Sequence, residues 1–446
     1  MAGVQSAREV ALVTLSACEK QGAWSDLALK KNIREAGLDS RDAALATRLC
    51  FGVLQNKLLC DFYIGKFSTV KVEQLENRVL NALRLGIYQM AFLTKIPASA
   101  AVNESVELAR KYSKNPRSPG LVNGILRTAT RNLERLPLID REDQAQYLSI
   151  RYSHPLWLVR TFQSMLGSEE TERLLAADNG EPATVAQINT VRTTSEQVLE
   201  TLEAAGLRAE PHPWLPNCIT LTGGGDLERL AAFQEGRFYI QDAGARLAVL
   251  AAGPEPGTRV LDACAAPGGK SFAAAIAMED RGEVFSCDIH PHKKKLIEAG
   301  AKRLGLTCVQ AGVLDARSRK PGYENAFDLV MADVPCSGLG IIRKKPDIRY
   351  KPLDAIERLP EVQRAILETV SRYVKPGGAL LYSTCTVRKE ENEAVALPFL
   401  QAHPEFSLEP FPVPDGLDLP NEGYAALLPH KHAADGFFIC KLRKHA

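Results

Sequence analysis

No CxxC pair occurs anywhere in this 446-residue chain, although it holds ten cysteines. They are scattered: Cys18, Cys50, Cys60, Cys218, Cys264, Cys287, Cys308, Cys336, Cys385 and Cys440. Zinc ribbons need closely spaced thiol pairs, and disulfide frameworks belong to short secreted chains, so the pattern argues against both. No GxGxxG occurs either, which argues against a dehydrogenase-type dinucleotide site. No window approaches the ~18 apolar residues of a membrane span. The first residues, "MAGVQSAREVALVTL", carry charges inside their apolar pattern and read as a helix rather than a signal peptide. A cytoplasmic protein with no membrane partner is the expectation. Net charge is also small, +2, but uneven. Residues 1–140 hold 20 Lys+Arg against 13 Asp+Glu, and the remainder 35 against 40. A basic N-terminal third is compatible with a polyanionic partner.

What is present divides into three parts. Residues 1–140 place apolar side chains at three- and four-residue steps in five segments, from "SAREVALVTLSACEKQ" to "SPGLVNGILRTATRNLERL". Start signals stand at Ser40, Ser99 and Pro119, and a compact all-α domain is predicted. Residues 141–240 read as a linker and a small α+β extension. "TVAQINTV" and "CITLTG" are its strands, with the helix "SEQVLETLEAAGL" between them. Residues 241–446 alternate short apolar strands ("RVLDAC", "EVFSCDI", "TCVQAG", "FDLVMADV", "GALLYSTC") with helical stretches. That alternation predicts a doubly wound, Rossmann-like α/β sheet, which binds ligands at the carboxyl ends of its strands.

The chemistry-bearing residues fall at those ends. The first strand runs into "LDACAAPGGKS", where small residues and Gly268-Gly269 let backbone approach a ligand. Asp288 closes the second strand, where a carboxylate can take ribose hydroxyls. Asp315 follows the third strand, and Asp333 closes the fourth. Acids at successive strand ends, with no evident anion cradle, fit an adenosine ligand that lacks phosphates and carries a sulfonium better than they fit NAD.

Two thiols, Cys336 in "DVPCSG" and Cys385 in "YSTCTV", stand where buried strands emerge into polar loops. Cysteine suits attack on an electron-poor carbon that must later be released, provided something favours the thiolate. Arg343, Lys344 and Lys345, and Arg388 and Lys389, are candidate sources of positive field. If the fourth and fifth strands are neighbours, the two thiols share one crevice; spacing alone does not rank them. Cys264, Cys287, Cys308 and Cys440 read as packing residues.

"LDACAAPGGK", "CDIHPHK", "DVPCSGLG" with "RKKPDIRY", "YSTCTVRKEENE" and "LLPHKHAADGFFICKL" together resemble the RNA cytosine-C5 methyltransferases of the Nol/Nop/Sun group. The basic N-terminus, with "AVNESVELARKY" and "GLVNGILR", resembles the NusB-like RNA-binding domain, a combination typical of the group's bacterial Sun/Fmu/RsmB branch. The likeness implies S-adenosyl-L-methionine as methyl donor and 16S ribosomal RNA, unassembled or early in assembly, as substrate of a monomer. It implies that Cys264, Ala265, Ala266, Pro267, Gly268, Gly269 and Lys270 line the cofactor, with Asp288 at its ribose, Asp315 on its adenine side and Asp333 near its methionine end and the target base. It makes Cys385 the nucleophile and Cys336 an aid to product release. Lys270 would orient Asp333 or the base, and "RKKPDIRYK" is a candidate phosphate contact. A tRNA cytosine-C5 methyltransferase and a non-catalytic RNA-binding or antitermination factor are the competing readings. The NusB-like N-terminus argues against the first, and the intact Cys336, Cys385, Asp333 and Gly268-Gly269 argue against the second.

Overall fold

The computed structural model describes residues 6–21, 23–222 and 227–446. They form two compact units: Met1–Gly180 with Ile342–Lys351, and Glu181–Ile341 with Pro352–Ala446.

The first unit is helical. Its helices are Ala7–Gln21, Ser25–Ala36, Ser40–Gln55, Lys57–Phe67, Asn77–Phe92, Ala98–Tyr112, Ser118–Arg131, Gln144–Tyr152, Leu156–Leu166 and Ser168–Asp178. All five segments read from the sequence are helical, with two refinements. The second breaks at Asn56, whose Nδ2 donates to the Gly52 carbonyl at 2.9 Å. Its cap is Asp39 rather than Ser40, the carboxylate accepting from the Asp42 amide at 2.8 Å. Ser25–Ala36 was not anticipated, because "SDLALKKNIREA" carries five charges in twelve residues and dilutes its apolar stripe. Leu12, Leu49, Leu83, Val122 and Leu126 are buried in the unit's core.

The segment Ile342–Lys351 also belongs to this unit, and its Pro346–Tyr350 forms a 3-10 turn. Arg349 is fully buried there. Its Nη1 donates to the carbonyls of Tyr152 and Ser153 (3.1 and 3.3 Å) and to Asn179 Oδ1 (2.9 Å). Tyr350 Oη donates to the Leu54 carbonyl at 2.8 Å, and Asp347 accepts from Ser25 Oγ at 2.5 Å. The expectation of a phosphate contact in "RKKPDIRYK" is corrected at Arg349, which is fully buried and turns its Nη1 to oxygens inside the helical unit. Lys345 pairs with Asp26 at 3.1 Å.

The second unit carries two sheets. The smaller contains β1 (Thr184–Ile188), β2 (Arg208–Pro211), β3 (Cys218–Thr222) and β4 (Phe238–Ile240), in the antiparallel order β2-β3-β1-β4. The helix Ser195–Ala204, opened by a Thr194/Gln197 capping box, lays Val198 and Leu202 on a core with Ala186, Ile188, Ile219 and Phe238.

The larger sheet holds β5 (Arg259–Asp262), β6 (Glu283–Asp288), β7 (Val309–Val313), β8 (Phe327–Asp333), β9 (Val374–Thr384), β10 (Phe406–Leu408), β11 (Tyr424–Leu427) and β12 (Phe437–Lys444). The order is β10-β12-β9-β8-β5-β6-β7, with β11 also paired to β12. Strands β5 to β9 run parallel, and β12 lies antiparallel to β9. This is the doubly wound α/β class read from the sequence. The chain winds from β5 out to β7, then returns to the other side of β5 with β8. The β5/β8 boundary is therefore the topological switch point, where a crevice opens at the strand ends. β8 and β9 are neighbours, and Asp333 stands opposite Ser383.

Candidate active site

At the end of β5 the chain turns through Ala263–Gly268 into the helix Gly269–Ala277. The turn is pinned to both flanking strands: the Ala263 amide donates to the Met331 carbonyl at 2.9 Å, and the Ala265 amide to the Cys287 carbonyl at 2.8 Å. Gly268 has φ +112°, and a Cβ there would run into the Phe272 ring. Only glycine meets both conditions. Below the turn lies a residue the sequence reading passed over. Asp262 is fully buried and accepts from Ser271 Oγ at 2.7 Å; with its one proton so used, Ser271 Oγ accepts from Ser286 Oγ at 2.6 Å. Burial pushes its carboxyl up to about 6.

The helix's first turn aims Lys270 across the crevice, where Nζ donates to Asp333 Oδ2 at 2.6 Å. Ser383 Oγ donates to the other carboxylate oxygen at 2.8 Å. Burial opposes the charge on Lys270, yet Asp333 more than offsets it and raises the ammonium pKa, with a smaller contribution from Cys385. Lys270 also lies 5.3 Å from the centroid of the Phe437 ring. Lys270 is thus a cation the fold sets beside the thiols. Arg388 instead turns to Glu390 (3.3 Å), and Arg343–Lys345 lie in the helical unit.

Cys336, in the loop after β8, and Cys385, directly after β9, bring their sulfurs to 3.3 Å. The two loops are fastened together. The Gly340 amide donates to the Cys385 carbonyl at 3.0 Å, and Ser337 Oγ bonds Thr386 Oγ1 at 2.8 Å. Glu391, fully buried, accepts from the Ser337 amide (2.8 Å) and from Gln363 Nε2 (3.0 Å). Gln363 Nε2 also donates to the Pro335 carbonyl at 3.0 Å. Asn392 accepts from Thr384 Oγ1 at 2.6 Å and donates to the Thr386 carbonyl at 3.0 Å. The hydrogen bond with Cys385, together with burial, pushes the Cys336 thiol well above the usual range. Ser383, Glu391, Asn392 and Gln363 are site residues that sequence reasoning missed. The "EEN" of "RKEENE" was the one available signal.

The remaining candidates take these places. Asp288, at the end of β6, is buried; it accepts from the His290 amide at 3.0 Å and pairs with Lys293 at 3.5 Å. Asp315, past β7, is half-exposed and turned onto Arg317, whose hydrogen bonds at 2.8 and 2.9 Å lower its pKa. Cys264 lies in the turn, its thiol raised by burial. Cys287, Cys308 and Cys440 are buried packing residues, pushed by burial to about 11, 12 and 12. A cavity of about 750 Å³ lies elsewhere in the second unit, between Trp214, Leu417, Tyr424 and His432, and holds none of these residues. The chemistry sits at the strand ends, not in that cavity. Among the described residues no group of three or more His, Cys, Asp or Glu is arranged to hold a metal, and no helix is long and apolar enough to cross a membrane.

Three family models match the chain. The model for 16S rRNA methyltransferase RsmB/F covers residues 249–443, that for the NusB family residues 5–131, and that for a ferredoxin-like domain of RsmF/B-like methyltransferases residues 154–228. The chain is 38% identical to a probable ribosomal RNA small subunit methyltransferase B of Bacillus subtilis, over 98% of this chain and 99% of that protein. It is 34% identical to ribosomal RNA small subunit methyltransferase B of Salmonella arizonae, over 91% of each. Among solved structures, PH0851 superposes with a TM-score of 0.83 at 27% identity, over 99% of both chains. NSun6 of Pyrococcus horikoshii, solved with SFG, superposes at 0.59 over 66% of this chain and 98% of that one. At 23% identity that second likeness speaks to fold alone.

Proposed function

The chain belongs to the RsmB/F family of ribosomal RNA small-subunit methyltransferases, and from that premise we propose that it methylates C5 of a cytosine in 16S ribosomal RNA through a covalent Cys385 adduct. The observation that carries this reading is the thiol pair at 3.3 Å beside the Lys270–Asp333 ion pair, at the ends of adjacent parallel strands.

The residues around β5 and β6 suit S-adenosyl-L-methionine. The turn Cys264–Lys270 presents backbone and small side chains. Asp288 offers a carboxylate at the ribose position, with Asp315 beyond it on the adenine side. Asp262 and Asp333 give the crevice a negative field that favours a sulfonium. When bound, that donor supplies an electrophilic methyl group. Everything else falls to side chains of this chain.

The C5 of cytosine is a weak nucleophile, so the base must first be activated. The Cys385 thiolate adds to C6, and the electron pair of the C5–C6 double bond moves onto the ring, making C5 enamine-like. As the displaced pair reaches N3, that nitrogen takes up a proton from solvent, which it gives back on release. The Asp333 carboxylate, held by Lys270 and Ser383, accepts the hydrogen bond from N3–H and stabilises the adduct as it forms. C5 takes the methyl group, then loses its proton as the Cys385 sulfur departs, which restores the aromatic ring. Cys336, in contact with that sulfur, assists the departure. Attack on C6 requires an unstacked base, so the target lies in a loop or is flipped out. The basic helical unit supplies a surface for the RNA backbone.

The test is a pair of substitutions read on 16S RNA with labelled donor. Cys385→Ala is expected to abolish transfer while leaving donor binding intact; full activity would overturn the assignment. Cys336→Ala is expected to retain attack but stall release, leaving a protein–RNA adduct that survives denaturing electrophoresis. An adduct seen only when Cys385 is replaced would exchange the two roles. Bisulfite mapping of ribosomal RNA from cells with and without the protein identifies the cytosine.

A further inference from the structure

Glu391 has no part in the mechanism above, yet it is fully buried beside the thiol pair. One carboxylate oxygen accepts from the Ser337 amide at 2.8 Å and from Gln363 Nε2 at 3.0 Å. The same Gln363 nitrogen donates to the carbonyl of Pro335. Glu391 thereby grips the loop on both sides of Cys336: directly through the following residue, and through Gln363 to the preceding one. Its own backbone carbonyl accepts from Tyr382 Oη at 2.6 Å, which anchors it to β9. Its partial counter-charge is weak, since Arg388 Nη1 stands 3.9 Å away and also faces Glu390.

We propose that Glu391 is a positioning residue of the thiol pair: it fixes the Cys336 loop against Cys385 and keeps Cys336 a neutral thiol that donates its hydrogen to the Cys385 sulfur. A buried carboxylate is a costly choice for a mere loop anchor, since a neutral amide could accept the same two hydrogen bonds. What the charge adds is a field that opposes a second negative charge nearby. The ionisable groups that face Cys336 include Cys385, Glu391 and Asp333, all of which disfavour a thiolate there, and the Tyr382 phenol, itself held neutral by burial. Lys270, the nearby cation, is paired with Asp333. In a pair sharing one negative charge, that charge then rests on Cys385.

This deepens the reading of Cys385 as nucleophile and assigns Cys336 its mode of action. At release, the C5–H electron pair re-forms the C5–C6 double bond and the C5 proton passes to water. The C6–S electron pair returns to Cys385, where the Cys336 S–H hydrogen bond stabilises the departing thiolate. Cys336 keeps its proton throughout and acts as a donor rather than a base.

The test needs no RNA, so it fails separately from the nucleophile assignment, which Cys385→Ala decides. Trace alkylation of the full-length protein with iodoacetamide across a pH series is read peptide by peptide by mass spectrometry. In the unsubstituted chain Cys385 is expected to react at lower pH than Cys336; the reverse order, or a common midpoint, overturns the proposal. In Glu391→Gln, which keeps both hydrogen bonds and removes only the charge, the Cys336 midpoint is expected to fall by about one pH unit, or roughly tenfold higher reactivity at fixed pH. A folded Glu391→Gln protein with an unmoved midpoint also overturns it. If that variant does not fold, the order in the unsubstituted chain decides alone.

Discussion

Asp333 is the side chain on which the crevice closes: Lys270 holds one of its oxygens and Ser383 the other. Both partners are donors, so the carboxylate is oriented before any base arrives. Asp333→Asn keeps the shape but gives up the ion pair and the fixed acceptor. Methyl transfer is expected to fall by about 100-fold or more, measured at saturating donor and RNA, with little change in melting temperature because the pair is partly exposed. A variant with near-parental kcat would remove Asp333 from the reaction. At this scale the sequence revealed residues whose position follows from a strand end, namely Cys336, Cys385, Asp333 and Asp288. It could not rank the thiols, because ranking depends on who else stands nearby. Glu391 and Gln363 come to Cys336 from 55 and 27 residues further along the chain, by tertiary packing that no local pattern announces.

Elements are where the sequence was most readable, for a physical reason. A parallel strand covered on both faces is a continuous apolar run, so β5, β6, β8 and β9 stood out, while the edge strand β7, with no buried residue, was read from its place in the strand–helix alternation. β2, β4 and β10 are three or four residues long and did not. β12 is longer, but its antiparallel place beside β9 depends on a partner far away in sequence. The turn from β5 into its helix carries the sharpest demand on residue type. Gly268→Ala would force an L-residue to φ +112° and press its Cβ onto Phe272. We expect donor affinity to weaken at least tenfold, read by calorimetry with S-adenosylhomocysteine, alongside a stability loss of about 1–3 kcal/mol. Unchanged affinity would mean that the turn does not bear on the donor.

Over the whole molecule, electrostatics are concentrated in buried clusters more than in net charge. In the helical unit Arg84 is buried between Glu19 (2.7 Å) and Asp61 (2.6 Å), and Lys57 reaches Glu19 at 2.7 Å. Burial works against the Glu19 charge, but Arg84 and Lys57 hold its carboxyl down to about 2. A depressed acid stabilises the fold above its unfolded value, near 4.5, and loses that contribution as pH falls toward 2. Urea titrations of the full chain between pH 5 and 2.5 should therefore show stability falling more steeply than in Glu19→Gln, by an amount on the order of 3 kcal/mol at most. Parallel curves would count against the cluster.

The strap Ile342–Lys351 has a consequence for how this protein can be cut and inherited. The backbone crosses between the two units three times, after Gly180, after Ile341 and after Lys351. A piece ending at Gly180 would therefore lack Arg349 and leave the carbonyls of Tyr152 and Ser153 without their buried donor. We expect such a piece to melt lower than the same piece supplied with a synthetic 342–351 peptide. Equal melting would show that the strap is dispensable. Insertions or deletions just after β8 would touch the helical core and the thiol loop in one event, so neither half can drift or be exchanged without a matching change in the other.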